Sequence, residues 1–131
     1  MSPPEIAAFS FNSAAGAWIC SFKALDCSLS IQDENGEPSQ KGYALLVKAM
    51  SDFESIALSA HRHILGFCSA KSVDEDGPGG FVELAVKNWR ETTALSVYFF
   101  YEIDPYNLWS VDFTWDQYNK WAPVAFRRED W

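Results

Sequence analysis

Three carboxylates in the C-terminal half, Glu102, Asp112 and Asp116, have the spacing to face one another on neighbouring strands. Two of these carboxylates, paired across adjacent strands, could carry out general acid–base catalysis if a pocket raised the pKa of one carboxyl group. On an open sheet face the same groups are merely solvated. The surrounding sequence predicts an open face, so we expect no catalytic residue in this chain and no enzymatic activity.

The other residues with metal-binding or nucleophilic side chains lie together at His61, His63 and Cys68. On a helix, residues two apart point about 200° away from each other, so the two histidines cannot share one metal ion. Cys68 would lie on a helical face similar to that of His61, but a third member and an oxyanion-stabilising group cannot be identified. We expect no metal, no cofactor, and surface or edge positions for both histidines.

Three consecutive acids, Asp74, Glu75 and Asp76, are followed by a glycine-rich stretch over 77–80. A calcium loop needs acids at alternating positions and a distal bidentate glutamate, and this pattern is absent. The glycines do not form a phosphate loop, because no Lys-Ser or Lys-Thr pair follows them. We predict a solvated loop whose acids contribute to a partner-binding surface.

The bulk composition predicts one folded domain over residues 1–131. The chain is 48% hydrophobic and 16% aromatic, which is not the composition of a disordered segment. Its formal net charge of −8 argues against nucleic-acid partners and anionic membranes, because neutralising phosphates requires a basic face. A basic protein partner, approached by electrostatic steering, is compatible with this charge. The sequence does not predict the oligomeric state.

The cysteines and the N-terminus predict a cytoplasmic protein. The first residues, MSPPEIAAFSF, lack the basic and apolar regions of a signal peptide, and no run is apolar enough to span a bilayer. The three cysteines, Cys20, Cys27 and Cys68, are odd in number and lack zinc-site spacing. Both features favour reduced thiols in the cytosol.

The elements that position these residues begin with a predicted N-terminal β-hairpin. Phe9 and Phe11 alternate with polar residues, residues 12–16 are small and polar, and alternation resumes from Trp18 to Phe22. Beyond Lys23 the apolar residues change from even to odd positions. Because side chains alternate with period two, this change predicts a bulge, a bend or a new strand there.

Residues 33–38 have the composition of a loop, and a long helical stripe follows from about Ser39 to about Cys68. Its apolar residues step by three or four and are Tyr43, Leu46, Val47, Met50, Phe53, Ala57, Ala60, Ile64 and Phe67. One helix of this length would be on the order of 40 Å long. Ser51 and Glu54 have the spacing of a capping box, so the stripe is either one long helix or a helix broken near Ser51.

From Phe81 onwards the apolar period is two, which predicts four strands joined by short links. Short links make neighbouring strands antiparallel, because a parallel crossover needs a dozen or more residues. Pro123 lacks an N–H for a sheet ladder, which places the last strand at an edge or makes Pro123 its first residue. The predicted fold is therefore α+β: a hairpin, one long or broken helix, and a four-stranded antiparallel meander packed on it.

The third strand of this meander carries tryptophans on one face and aspartates on the other. Burying unpaired aspartates would cost several kcal/mol, so the tryptophan face should point to the core. Pairing odd residues with odd residues then places Ile103 opposite Trp109, across a loop over 104–108. The remaining face should be open to solvent and bind a partner, with aromatic anchors inside an acidic rim. Its predicted residues are Tyr98, Phe100, Glu102, Asp112, Thr114 and Asp116. In the alternative, the aromatic residues are covered by the N-terminal strands or a loop, or are simply exposed.

A family resemblance lies in residues 96–116, SVYFFYEIDPYNLWSVDFTWD, in the acid-rich loops and in the small size. In these features the chain resembles bacterial polymorphic-toxin immunity proteins, including those of contact-dependent inhibition. The resemblance extends over the chain as a pattern of size, charge and α+β order, and no single motif carries it. It implies a non-catalytic cytoplasmic domain that occludes the active site of a basic toxin.

An alternative function follows from the helix-then-meander order. This order is also the layout of cystatin-like and nuclear-transport-factor-like domains, in which helix and sheet enclose a pocket for a small ligand or for catalysis. Two N-terminal strands before the helix depart from that order, and the inward positions are almost wholly apolar. A hollow helix–sheet interior would favour this alternative.

Overall fold

The computed structural model describes residues 2–67, 80–89, 92–101, 106–115, 118 and 120–130. The elements in these ranges are β1 (Ser10–Asn12), β2 (Ala17–Phe22), β3 (Cys27–Glu34), β4 (Glu37–Pro38), α1 (Gln40–Ser51), α2 (Phe53–Phe67), β5 (Gly80–Trp89), β6 (Thr92–Phe100), β7 (Asn107–Trp115) and β8 (Trp121–Asp130). The predicted α+β class is confirmed.

The strands form one mixed sheet in the order β1-β2-β3-β5-β6-β7-β8, with β4 paired to β3. Neighbours are antiparallel except β3 and β5, which are parallel. A parallel pair needs a long crossover, and here α1 and α2 provide it. The N-terminal strands therefore extend the same sheet as the predicted meander, an arrangement that the sequence did not predict.

The change of parity near Lys23 has a clear structural cause. A short 3₁₀ helix, Lys23–Leu25, ends at Asp26, whose φ of 49° lies in the left-handed region. Beyond it the chain starts the new strand β3. Cys20 of β2 now lies opposite Leu29 of β3, so that both apolar faces remain on the same side of the sheet.

The long helical stripe is divided into two helices at Asp52, so that of the two alternatives, one long helix or a broken one, the broken helix is observed. Ser39 caps α1, because its Oγ accepts a hydrogen bond from the Gly42 N–H at 3.0 Å. The predicted capping role of Ser51 is wrong. Its hydroxyl instead donates back to the carbonyl of Lys48 at 2.8 Å.

Both helices pack on one face of the sheet, which we call the inner face; the opposite face is the outer face. The buried inner-face core comprises Phe9, Leu29, Ile31, Leu46, Ala49, Met50, Ile56, Ala60, Ile64, Leu84, Val86, Leu95, Val97, Phe99, Tyr101, Trp109, Val111 and Phe113. The odd positions of β6 and β7 thus face the core, as predicted. The specific pair is wrong, because the residue opposite Trp109 is Phe99 and the link between the strands is longer than predicted.

The last strand, β8, is an edge strand that contains Pro123, in agreement with the prediction. A bulge opposite Asp112 and Phe113 adds one residue to β8. Consequently Phe126 packs against the core, whereas Val124 is 40% exposed. The bulge also places Arg127 on the outer face opposite Ser110.

Candidate functional site

The predicted partner surface lies in part on the outer face. In one cross-strand row, Tyr98 lies opposite Ser110, and Ser110 lies opposite Arg127. Tyr98, Phe100 and Thr114 are partly buried. Glu102 and Asp116, like the loop acids Asp74, Glu75 and Asp76, are outside the described residues, and so their predicted roles stay predictions.

Asp112 does not have the environment that the sequence predicted. Its exposed fraction is 2%, and its Oδ1 accepts a hydrogen bond from Ser96 Oγ at 2.5 Å. The same oxygen forms an ion pair at 2.9 Å with Arg127 of β8. The expectation that Asp112 is solvent-facing is therefore wrong. Alternation along β7 gives no information about Arg127 on the neighbouring strand, which provides the partner that a buried carboxylate needs.

Tyr98 is flanked by cations rather than by an acidic rim. Lys87 Nζ donates to its hydroxyl oxygen at 3.3 Å, and Arg127 Nη2 lies 3.4 Å from the same oxygen. Burial lowers the pKa of Arg127, but its attraction to Tyr98 and Asp112 prevails, and the pKa is raised. The described outer face around Tyr98 is consequently an internally paired cluster, in which Lys87 and Arg127 bond to Tyr98 and Arg127 pairs with Asp112.

Two neighbouring groups complete the description of this cluster. Within the described structure, Ser110 Oγ and Arg127 Nε are buried without a hydrogen-bond partner. Burial raises the pKa of Glu83, while the positive charge of Lys87 opposes this shift. The arrangement orders the sheet, but it brings no second described carboxylate beside Asp112 for acid–base chemistry.

The described histidine and cysteine side chains are all partly or fully buried. His61 is only 6% exposed, and its Nδ1 lies 3.2 Å from the buried Tyr101 hydroxyl, so its predicted surface position is wrong. Burial, with the charges of Asp26 and Glu83, raises the pKa of Cys27 to about 11, which keeps it a neutral thiol at neutral pH. Cys68 is outside the described residues. No described cluster of three His, Cys, Asp or Glu residues could hold a metal.

Two aromatic residues and three exposed acids of the described N-terminal half lie on β1, β2 and the β3–β4 hairpin. We call this the N-terminal acidic surface: Phe11, Trp18, Asp33, Glu34 and Glu37. Phe11 is 49% exposed, and its ring contacts that of Trp18 edge-on with centroids 5.5 Å apart. The three acids are exposed. The exposed Phe11 and the partly buried Trp18, close to a carboxylate, resemble the arrangement that the sequence predicted for the other half of the molecule.

The turn between β3 and β4 fixes the position of this surface. Asn35 and Gly36 both have positive φ, 55° and 84°, as the central residues of a tight hairpin turn require. Asp33 Oδ2 accepts from the Gly36 N–H at 3.3 Å, while its Oδ1 accepts from Trp18 Nε1 at 2.8 Å. One carboxylate therefore holds both the acidic turn and the indole ring.

A shallow pocket of about 330 Å³ adjoins this surface. Its lining residues are Ile6, Ala7, Phe9, Trp18, Glu37, Pro38 and Gln40. It presents an apolar floor beside a carboxylate, which suits an aliphatic stem that ends in a cation.

A signal for the N-terminal acidic surface was present in the sequence. Alternation placed Trp18 on an apolar face, and residues 33–37 were identified as an acid-containing loop. The sequence pattern alone does not show that β2 pairs with β3. Once Trp18 lies opposite Ile31, the next residue on that face of β3 is Asp33.

Comparison of this chain with protein-family models, curated proteins and solved structures found no match. Among the described helices, none combines the length and the apolar character that crossing a membrane requires.

Proposed function

We propose that this chain is a non-catalytic protein-binding domain that uses the N-terminal acidic surface to bind the basic surface of a partner protein. The observation that carries the proposal is the half-exposed Phe11 ring against Trp18, which Asp33 holds in place. Aromatic side chains with a fixed orientation are typical anchors of protein interfaces, because they bury a large area at a small cost in conformational entropy.

The distribution of charge supports a basic partner. The chain has a formal net charge of −8, Asp33, Glu34 and Glu37 are exposed, and Asp33 bonds directly to the Trp18 indole. Exposed charges around an apolar anchor chiefly raise the association rate and select the partner, rather than adding affinity. The buried Asp112, which Arg127 neutralises, contributes little to this field.

The specific form of this function that we propose is a cytoplasmic immunity protein that neutralises a basic toxin by covering its active site. The overall charge, the size and the resemblance of residues 96–116 support this form. In this proposal neither nucleic acid nor membrane is a partner, and no cofactor is required.

The experiment is a kinetic binding measurement against the basic toxin domain encoded beside the gene of this chain. We expect the association rate to fall steeply with ionic strength. Phe11→Ala should weaken binding by about 2 kcal/mol, roughly thirtyfold, as truncation of an interface anchor does. Glu34→Gln with Glu37→Gln should slow association while leaving the dissociation rate nearly unchanged.

The matched controls lie elsewhere on the surface. Tyr118 is an exposed aromatic residue at 72%, and Glu54 is an exposed acid of α2. Tyr118→Ala and Glu54→Gln should bind as the parent does. The proposal is wrong if the adjacent gene product does not bind, or if these controls weaken binding as much as the N-terminal variants do.

The alternative of a pocket between helix and sheet receives no support from the described interior. Leu46 of α1 is 1% exposed, and Val86 and Leu95 opposite it are 1% exposed or less. These side chains fill the space in which a cystatin-like pocket would lie.

A further inference from the structure

A groove runs along α1 where this helix meets β6 and β7, separate from the buried core and from the N-terminal acidic surface. Its volume is about 660 Å³, within the range of small-molecule sites. The lining residues are Lys41, Ala44, Leu45, Val47, Lys48 and Ser51 of α1, with Thr93 of β6 and Trp115 of β7. Leu46, Ala49 and Met50 point to the core, and thus the groove uses a second face of the same helix.

The aromatic wall of this groove is held in place. The Trp115 ring packs edge-on against Trp121, with centroids 5.1 Å apart. Trp121 Nε1 in turn donates to Asp52 Oδ2 at 3.0 Å, at the junction of α1 and α2. A wall fixed by packing and a hydrogen bond lowers the entropic cost of binding a ligand against it.

The charge of the groove is opposite to that of the whole chain. Lys48 Nζ lies 4.0 Å from the centre of the Trp115 ring, and Lys41 is two helical turns away, at a rise of about 10 Å. Neither ammonium group has a carboxylate partner in the described part of the structure, and no described lining residue is acidic. In a chain of net charge −8, two lysines that have no carboxylate partner among the described residues, beside an apolar floor, indicate a site for a negative group.

We propose that this groove binds an amphipathic carboxylate, with an apolar ring or chain against Leu45, Val47 and Trp115 and its carboxylate on Lys48. Lysine, as a compact point charge, neutralises a carboxylate without requiring bidentate geometry. Lys48 lies in the last turn of α1, where the helix dipole disfavours additional negative charge. A monoanion therefore fits better than a dianionic phosphate.

The probe is 2-naphthoate, and its uncharged control is 2-naphthalenemethanol. Tryptophan indole N–H signals are followed by nuclear magnetic resonance, with the Trp115 signal assigned from a Trp115→Phe variant. We expect 2-naphthoate to shift the Trp115 signal in a saturable way and to bind at least several-fold more tightly than the alcohol. Absence of saturation up to about 10 mM, or equal affinity for both compounds, would overturn the proposal.

Variants of the groove lysines test the charge contribution. Lys48→Gln should weaken 2-naphthoate binding about three- to tenfold and leave the alcohol unaffected, in the range of partly exposed ion pairs and cation–π contacts. Lys23→Gln, an exposed lysine of the 3₁₀ helix, is the matched control and should bind as the parent does. Val47→Glu should abolish naphthoate binding by repulsion, with thermal unfolding confirming that the variant folds. The proposal fails if Lys48→Gln and Lys23→Gln behave alike.

Discussion

Asp112 and Asp33 are aspartates that each accept two hydrogen bonds, but they do so in opposite surroundings. Asp112 is 2% exposed, and Ser96 and Arg127 take up its charge inside the sheet. Asp33 is exposed and accepts from a neutral indole and a backbone N–H, so that its full charge remains at the surface. The surroundings of a carboxylate therefore determine whether its charge is paired inside the fold or remains available at the surface.

The largest expected effect concerns Asp112, the buried aspartate. Asp112→Ala should lower the free energy of unfolding by about 2–4 kcal/mol, because it leaves Arg127 and Ser96 without their acceptor. The lower end allows for the exposure of the Arg127 side chain, which is 35%. Urea denaturation measures the loss. A value near zero would mean that Asp112 is solvated.

A smaller effect concerns the geometry of the same pair. Arg127→Lys should cost about 1–2 kcal/mol, because an ammonium group cannot reach Asp112, Tyr98 and Glu129 together. The matched control is Arg62→Lys at an exposed position of α2, which should stay within about 0.5 kcal/mol of the parent. Equal losses in both variants would show that charge alone stabilises the cluster.

The two halves of the chain differ in how much of their structure could be predicted from the sequence. In the C-terminal half, alternation alone assigned the core face of β6 and β7, because a one-residue slip would have moved Trp109, Val111 and Phe113 off that face. The pairing of Phe99 with Trp109 depended on the length of the link, which apolar period does not report. The environment of Asp112 depended on Arg127, which a bulge in β8 places opposite Ser110.

The N-terminal half was harder to predict, because its structure depends on contacts between elements that are distant in sequence. The parallel pairing of β3 with β5 joins residues separated by two helices, and local patterns contain no signal for it. His61 was likewise predicted at a surface or edge position of the helix, yet it is buried against Tyr101, forty residues away. In both cases tertiary contacts override the local preference.

A still smaller effect tests the surface side of the comparison. Asp33→Asn should cost about 0.5–1 kcal/mol in stability, because the charge-assisted hydrogen bonds to Trp18 and Gly36 become neutral ones. The Trp18 indole N–H resonance should shift and broaden as the ring loses its fixed orientation. The loss in the free energy of partner binding should be larger than the loss in the free energy of unfolding. A stability loss as large as that of Asp112→Ala would remove the distinction between the two aspartates.

The smallest effect depends on pH and concerns Glu83, in the same cross-strand row as Tyr98. Burial raises its pKa above the ordinary value of 4.5, so the folded state binds the proton more tightly than the unfolded state does. This contribution to stability is present below pH 4.5 and is lost as the pH rises through the folded pKa. Glu83→Gln should therefore match the parent near pH 4 and be the more stable protein at pH 8, as urea denaturation at the two values can measure.

Lys87 gives the Glu83 prediction its control, because its positive charge opposes the effect of burial on the Glu83 carboxyl. In a Lys87→Met background the advantage of Glu83→Gln at pH 8 should increase. If the advantage is the same at both pH values, the variant acts through packing and not through ionisation. If it reverses sign, Lys87 outweighs burial, and Glu83 then stabilises the fold as an ion pair in the way that Asp112 does.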